Sequence, residues 1–283
     1  METVWLFVAA FAASALGGVL GMASGIFIVP ILTLVFGIGI HAAIGASLVS
    51  VIACSCGSAG QLLKGGLTNI RLAIVLETAT TLGALTGVIL IGRFSPATLY
   101  ALFTVILVVS AAQMLSRRKE MAIVDGPPPA GWATRLRLHG DGAPGASSGA
   151  VPYRVGNVPM AWALMYGAGL ISALLGIGSG VLKIPAMDTA LRLPLKVSSA
   201  TSNFMIGVTA AASASAYFAR GDIDVNLAGP IALGSVVGAI AGARLLVGLP
   251  ADKLRLFFVV ILGLLAVQML LSALGVHPVS GAG

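Results

Sequence analysis

GVLGMASGIFIVP (Gly18–Pro30) and LLGIGSGVLKIP (Leu174–Pro185) each set a cluster of small residues inside a long apolar segment, with four residues between the last glycine and a proline. The two breaks occupy corresponding places in the two halves of one chain. Their surroundings define the class of protein. The chain is 58% hydrophobic and 9% charged, with a mean hydropathy of +1.05, whereas soluble domains carry about 25% charged residues. No Asp, Glu, Lys or Arg lies between Glu2 and Lys64, and a spanning helix needs about 20 apolar residues. Further charge-free runs cover Phe94–Ser116, Met160–Leu182, Val197–Ala219, Val225–Ala243 and Leu256–Gly283. Ile70–Gly92 is interrupted only by Arg71 and Glu77. The fold class is all-α, a polytopic helical membrane protein.

METVWLFVAAF lacks the basic start of a cleaved signal peptide, so the first apolar segment reads as part of the fold. Cys54 and Cys56 stand two apart on one helix, too close for an ordinary disulfide. The net charge of +7 and pI near 9.9 reflect basic loops, which are normal on the cytoplasmic side of a membrane, and not nucleic-acid binding.

The likeness between halves extends beyond the breaks. Gly21 matches Gly176, KGGLTN (Lys64–Asn69) matches RGDIDV (Arg220–Val225), and GALTG (Gly83–Gly87) matches GSVVG (Gly234–Gly238). Phe94–Leu115 matches Gly248–Leu270. Residues 1–115 are therefore one transmembrane repeat and 159–275 a second, with a short tail at 276–283. Residues 116–158 form a linker rich in proline, glycine and Arg/Lys, a composition expected to be largely unstructured and, being basic, cytoplasmic. Each half offers one broken segment (Val4–Gly37, Ala161–Leu191) and three simple helices (His41–Leu63, Ile70–Gly92, Pro96–Leu115; Val197–Ala219, Val225–Leu246, Pro250–Leu274).

Topology turns on whether the broken segments cross. If they do, the halves run parallel, with nine Lys/Arg inside and six outside. If they enter and return, each half has three spans and the halves are inverted, with thirteen inside and only Arg93 and Arg220 outside. Lys/Arg bias sets orientation and prefers the inverted arrangement, with both termini outside.

In that arrangement each break is a turn inside the membrane. Non-helical backbone there must be covered by protein or line a wet cavity, and glycine supplies the unusual backbone angles. The second arms, Ile26–Gly37 and Val181–Leu191, then start helices within the membrane. Helix N-termini attract anions, glycine-rich turns can form anion nests, and discontinuous helices bind substrate near the midplane in other repeat-built transporters. The glycines at Gly83, Gly87, Gly234, Gly238 and Gly242 read as close helix packing.

The paired Gly-x-x-small-Gly-x-x-x-x-Pro elements, the two repeats and the basic central linker resemble the TauE/SafE family of membrane proteins. The resemblance implies export of small sulfur-containing anions, such as sulfite or organosulfonates, across the bacterial inner membrane. Ala23, Ser24 and Ser179 stand where that family more usually carries glycine, and Lys183 is unusual.

The expected anion site comprises Gly21, Ser24, Gly25, Gly176, Gly178, Ser179, Gly180, Lys183 and Asn203. Lys183 supplies a full charge beside the second turn, as a membrane-buried lysine is functional by default; snorkelling to an interface, or pairing with Asp188, is equally open. Ser24 and Ser179 are hydroxyl donors to an anion, or caps of their half-helices, or both. Asn203 is a pore-lining donor or a helix-to-helix bond, whereas Ser47 and Thr201 read as packing. Glu77 is a candidate proton-coupling acid, with pairing to Arg93 or Lys64 as the alternative. Asp188 and Arg192, one turn apart, read as a surface pair.

His41, His139 and His277 have no ligand spacing around them, and no nucleotide motif is present. No metal, cofactor or catalytic residue is expected. The expected partners are a small anion and the lipid bilayer, and self-association is open. The leading function is a coupled exporter. A passive anion channel, and a carrier of another small anion such as a carboxylate, remain the alternatives.

Overall fold

The computed structural model describes residues 2–20, 24–64, 66, 68–91, 93–115, 131–142, 151–193, 195–245 and 251–274. The first broken segment is α1 (Glu2–Leu20) and α2 (Gly25–Leu34), followed by α3 (Ile40–Lys64), α4 (Ile70–Ile91) and α5 (Pro96–Leu115). The second is α7 (Val158–Leu175), α8 (Gly180–Ala186) and a π-helical turn (Met187–Leu191), followed by α9 (Leu195–Ala219), α10 (Val225–Leu245) and α11 (Ala251–Ala273). Between them lie a short α6 (Trp132–Arg135) and strands β1 (Gly140–Gly142) and β2 (Val151–Tyr153). Among the described residues, four helices contain stretches long and apolar enough to span a bilayer: Ile40–Gly60, Ile70–Leu90, Val158–Leu175 and Val225–Gly242. The protein is a multi-pass helical membrane protein.

Local chemistry sets the breaks. Asn157 caps α7 by accepting from the Met160 amide at 3.3 Å, and α7 stops at Gly176, which adopts the left-handed conformation with φ +64°. Gly178 follows at φ +67°. These are conformations in which a side chain is strained. At about 1.5 Å per residue, the ten residues of α2 reach about half of a ~30 Å apolar layer.

The second broken segment is a hairpin. The amides of Gly156 and Asn157, at the start of α7, donate to the carbonyls of Leu191 and Ala190 at the far end of the returning arm, both at 3.0 Å. The arm thus comes back to the level at which the segment began.

Contacts along the helices fix their directions. Gly45 backs onto the Asp222 carbonyl, the Ser55 hydroxyl donates to the Asn203 carbonyl at 2.7 Å, and the Asn69 amide donates to Thr201 Oγ1 at 3.1 Å. As numbers rise along α3 they fall along α9, so these helices are antiparallel. By the same reasoning α3 runs parallel to α10, through Gly45–Ile223, Ser50–Ser235 and Gly57–Ala239.

Two close parallel pairs flank this centre. On α10, a Cβ at Gly234, Gly238 or Gly242 would stand 2.2–2.4 Å from the carbonyls of Phe7, Phe11 and Ala15 of α1. On α4, a Cβ at Gly83 or Gly87 would stand 2.0 and 2.5 Å from the carbonyls of Tyr166 and Leu170 of α7. The packing reading of these glycines is met.

The linker departs from its expected lack of structure. Residues 131–142 and 151–157 form α6 and an antiparallel ribbon in which Asp141 faces Pro152. Leu138, Tyr153 and Val155 are buried against Leu72, Met165, Met187 and Leu191. Asn69 fastens this cap, its Nδ2 donating at 2.8 Å both to the Leu138 carbonyl and to the Tyr153 hydroxyl. A few apolar side chains here outweigh the glycine and proline content. The proline run at 127–129 and the serines at 147–148 lie outside the described residues.

Backbone contact makes Gly169 of α7 a sharp test, since its Cβ would stand 2.1 Å from the Thr80 carbonyl, whereas Gly167 has nothing within 4 Å. Gly169→Ala is expected to cost about 1–3 kcal/mol through overpacking. Gly167→Ala is expected to stay within about 0.5 kcal/mol. Unfolding midpoints of the purified variants in detergent check both.

Candidate functional site

The two breaks meet. A Cβ on Gly25 would stand 2.3 Å from the Gly176 carbonyl and 2.9 Å from the Ile177 carbonyl carbon, so the start of α2 rests directly on the second turn. Ser47 of α3 lies beneath this contact, its hydroxyl 2.8 Å from the Gly176 carbonyl and 2.7 Å from the Ile44 carbonyl. Ser47, assigned from sequence to packing alone, therefore covers a carbonyl freed by the break. Gly21 lies outside the described residues.

Ser24 and Ser179 do not cap their helices through their side chains. Their backbone carbonyls accept instead, Ser24 from the amides of Phe27 and Ile28 and Ser179 from those of Leu182 and Lys183. The Ser24 hydroxyl bonds to Ser50 at 2.8 Å, and Ser50 to Ser235 at 2.6 Å. Three hydroxyls thus connect the first turn to α3 and α10. The Ser179 hydroxyl is fully buried and has no hydrogen-bond partner. Gly178, Ser179 and Gly180 are all buried at the turn. Asn203 is buried at the α3–α9 crossing, where its carbonyl accepts from Ser55.

Lys183 and Glu77 find each other. Lys183, fully buried on α8, donates through Nζ to Glu77 Oε2 at 3.1 Å, and Glu77 on α4 is 12% exposed. Thr209 of α9 closes the triangle. Its hydroxyl accepts from Lys183 at 2.6 Å and donates to Glu77 Oε1 at 2.5 Å, while Thr81 contributes a longer bond to the same oxygen at 3.4 Å. Sequence reading had offered Arg93 or Lys64 to Glu77 and Asp188 to Lys183. The Lys64 and Asp188 side chains lie outside the described residues, and with them the expected Asp188–Arg192 pair. Burial of Lys183 replaces the snorkelling alternative.

Chemically, the site is a charge pair set four residues along from an unused hydroxyl, beside two touching turns. Both charges are satisfied within the protein, so the ammonium is not a bare cation. Glu77, and not Lys183, lines an open groove of about 660 Å³ together with Ala73, Ile74, Thr78, Phe204, Met205 and Val208. Thr209 was missed from sequence. It is one hydroxyl in a run of small residues, with nothing in its spacing to distinguish it.

Apolar helices broken at mid-length, with a buried charge pair beside the break, place the chain among multi-pass helical membrane proteins. The family described as Sulfite exporter TauE/SafE matches residues 6–269, and the chain belongs to that family. Neither the curated proteins nor the solved structures contain a match.

The pairing makes a definite energetic prediction. Lys183→Met alone, which leaves a buried carboxylate unpaired, is expected to cost about 3–5 kcal/mol, and the double variant K183M/E77L much less than the sum of its parts. Denaturation of the four proteins in detergent provides the cycle; strict additivity would show that the pair is not coupled.

Proposed function

We infer that this protein is a secondary transporter that exports a small sulfur-containing anion, sulfite or an organosulfonate, across the bacterial inner membrane with proton coupling. The observation that carries this reading is the buried Lys183–Glu77 pair beside the second turn, in a chain of the TauE/SafE family. The anion lies near the midplane beside the two touching turns. There Ser24, Gly25, Gly176, Gly178, Ser179, Gly180 and Lys183, together with Gly21 and Asn203, supply amides, hydroxyls and the cation. The starts of the two inner arms add favourable dipoles. Glu77 carries the proton.

The halves form an inverted repeat. Three observations support this. The hairpin between Gly156–Asn157 and Ala190–Leu191 returns the second segment to its own side. Antiparallel α3 and α9 fit inverted halves, since corresponding helices of parallel halves would run the same way. Packing also relates the halves one turn away from the sequence match: Gly83 rests on Tyr166 as Gly238 rests on Phe11. That pairing has the same offset of 155 that relates Gly21 to Gly176. With thirteen Lys/Arg on one side, both termini face outward.

Inside-out vesicles containing the protein are expected to accumulate labelled sulfite or a sulfonate faster when a proton gradient is imposed. Uptake indifferent to the gradient would make the protein a passive channel, and uptake of carboxylates alone would change the substrate class. Glu77→Gln is expected to remove the pH dependence of net transport while sparing exchange. Tags on either terminus should be reachable from outside in intact cells; a cytoplasmic C-terminus would refute the inverted arrangement.

A further inference from the structure

We propose that Glu77 is a resident stand-in for the transported anion: carboxylate and substrate compete for the same ammonium, so an anion is bound at Lys183 only when Glu77 takes up a proton. This deepens the anion-export reading and rests on it.

The geometry supplies each element. An ammonium carries three N–H donors, and Lys183 uses two, to Glu77 Oε2 and to Thr209 Oγ1. Ser179 lies four residues earlier, at the spacing that places two side chains on one helix face. Its hydroxyl is fully buried and without a partner, although buried polar groups are nearly always hydrogen-bonded. A cation and an unused donor side by side suit two oxygens of a sulfite or sulfonate.

Charge decides what must happen next. The pair alone is neutral. An added anion would leave the buried group of charges negative, which costs far more than burying the neutral pair. Glu77 is the member that can yield, being 12% exposed where Lys183 is fully enclosed. A proton from water transfers to a Glu77 carboxylate oxygen, the Glu77–Lys183 bond is given up, and Lys183 turns to the anion. Thr209 holds both groups throughout, because its hydroxyl can accept from Lys183 and turn its own proton away when Glu77 becomes a donor. Empty and loaded states are then equally neutral.

The groups facing the pair are few. Thr80 and Thr81 approach from α4 itself, with Thr80 3.4 Å from Thr209, and Thr209 from α9. From α7, the titratable Tyr166 bonds to Thr86 and Trp162 to Thr78, and neither bonds to Glu77. At the offset of 155, the positions in the first half that correspond to Lys183 and Thr209 hold Ile28 and Cys54, both buried. Among the described residues, those two positions offer no second exchange site of this kind.

Two measurements test this on the purified protein in detergent. The first is the infrared difference spectrum of the wild type on adding sulfite at fixed pH. The proposal expects a protonated-carboxylic-acid band to appear, and Glu77→Gln to lack it. The second is the Kd for methanesulfonate, a probe that does not itself titrate. It is expected to weaken about tenfold per pH unit on the alkaline side in the wild type, and to be flat and at least tenfold tighter there in Glu77→Gln. Anion binding with no acid band and a flat pH profile would overturn the competition while leaving the exporter reading intact. Binding of neither anion by either protein would remove Lys183 from the substrate path, and that reading of the site would fall with it. Should Glu77→Gln not fold, the wild-type spectrum and its pH profile decide alone.

Discussion

A break in a helix exposes backbone donors and acceptors, and the bilayer interior offers no water to satisfy them. Much of the centre of this protein answers that constraint. Each unsatisfied group in an apolar medium costs several kcal/mol, so both breaks are covered from within. Ser47 reaches the carbonyl of Gly176, and the carbonyls of Ser24 and Ser179 take amides from the first turns of their own arms. Close approach completes the cover. Gly25 has no side chain to hold the two turns apart, and its backbone comes to rest on that of Gly176 and Ile177. A single methyl at residue 25 would collide with a carbonyl that has nowhere to move.

The same absence of water governs the charges. A lone lysine or glutamate at Lys183 or Glu77 would be expensive in the membrane, and the pair reduces that cost by bringing the two together with a threonine between them. Replacing such a pair by apolar residues is often no less stable. Stability alone therefore does not account for the charged arrangement at Lys183 and Glu77.

Much of this was legible in the sequence, because membrane folds are written mainly in hydropathy and glycine. The two breaks, the simple helices and the packing role of Gly83, Gly87, Gly234, Gly238 and Gly242 all follow from the length of apolar runs and the spacing of small residues. Pairwise chemistry across the fold was less accessible. Lys183 and Glu77 are 106 residues apart and have no common pattern. Their isolation as charges in apolar segments was visible, but it identified candidates and not partners. Ser47 and Thr209 look like any other small hydroxyls until the neighbouring helix is in place. The partners of the packing glycines were equally hidden, because glycines four apart on α10 are interchangeable by eye and only the carbonyls they rest on distinguish them. The cap at 131–142 and 151–157 was hidden for another reason: its few apolar residues, Leu138, Tyr153 and Val155, find their partners on α4, α7 and the returning arm.

That cap also bears on how the site is held. Asn69 bonds to Leu138 and Tyr153 on one side and to the amide of Leu72, at the start of α4, on the other. Gly156 and Asn157, directly after the ribbon, hold the end of the returning arm. Two of the three elements that form the charged site, α4 with Glu77 and the arm with Lys183, are thus fastened to one base. The third, α9 with Thr209, touches that base through Thr201 and Asn69 and packs against α3, α4 and α8. Thr209 accepts from one charge and donates to the other, so a single hydroxyl on α9 holds both members of the pair. The hydroxyl is therefore the point at which the third helix is joined to the charge pair.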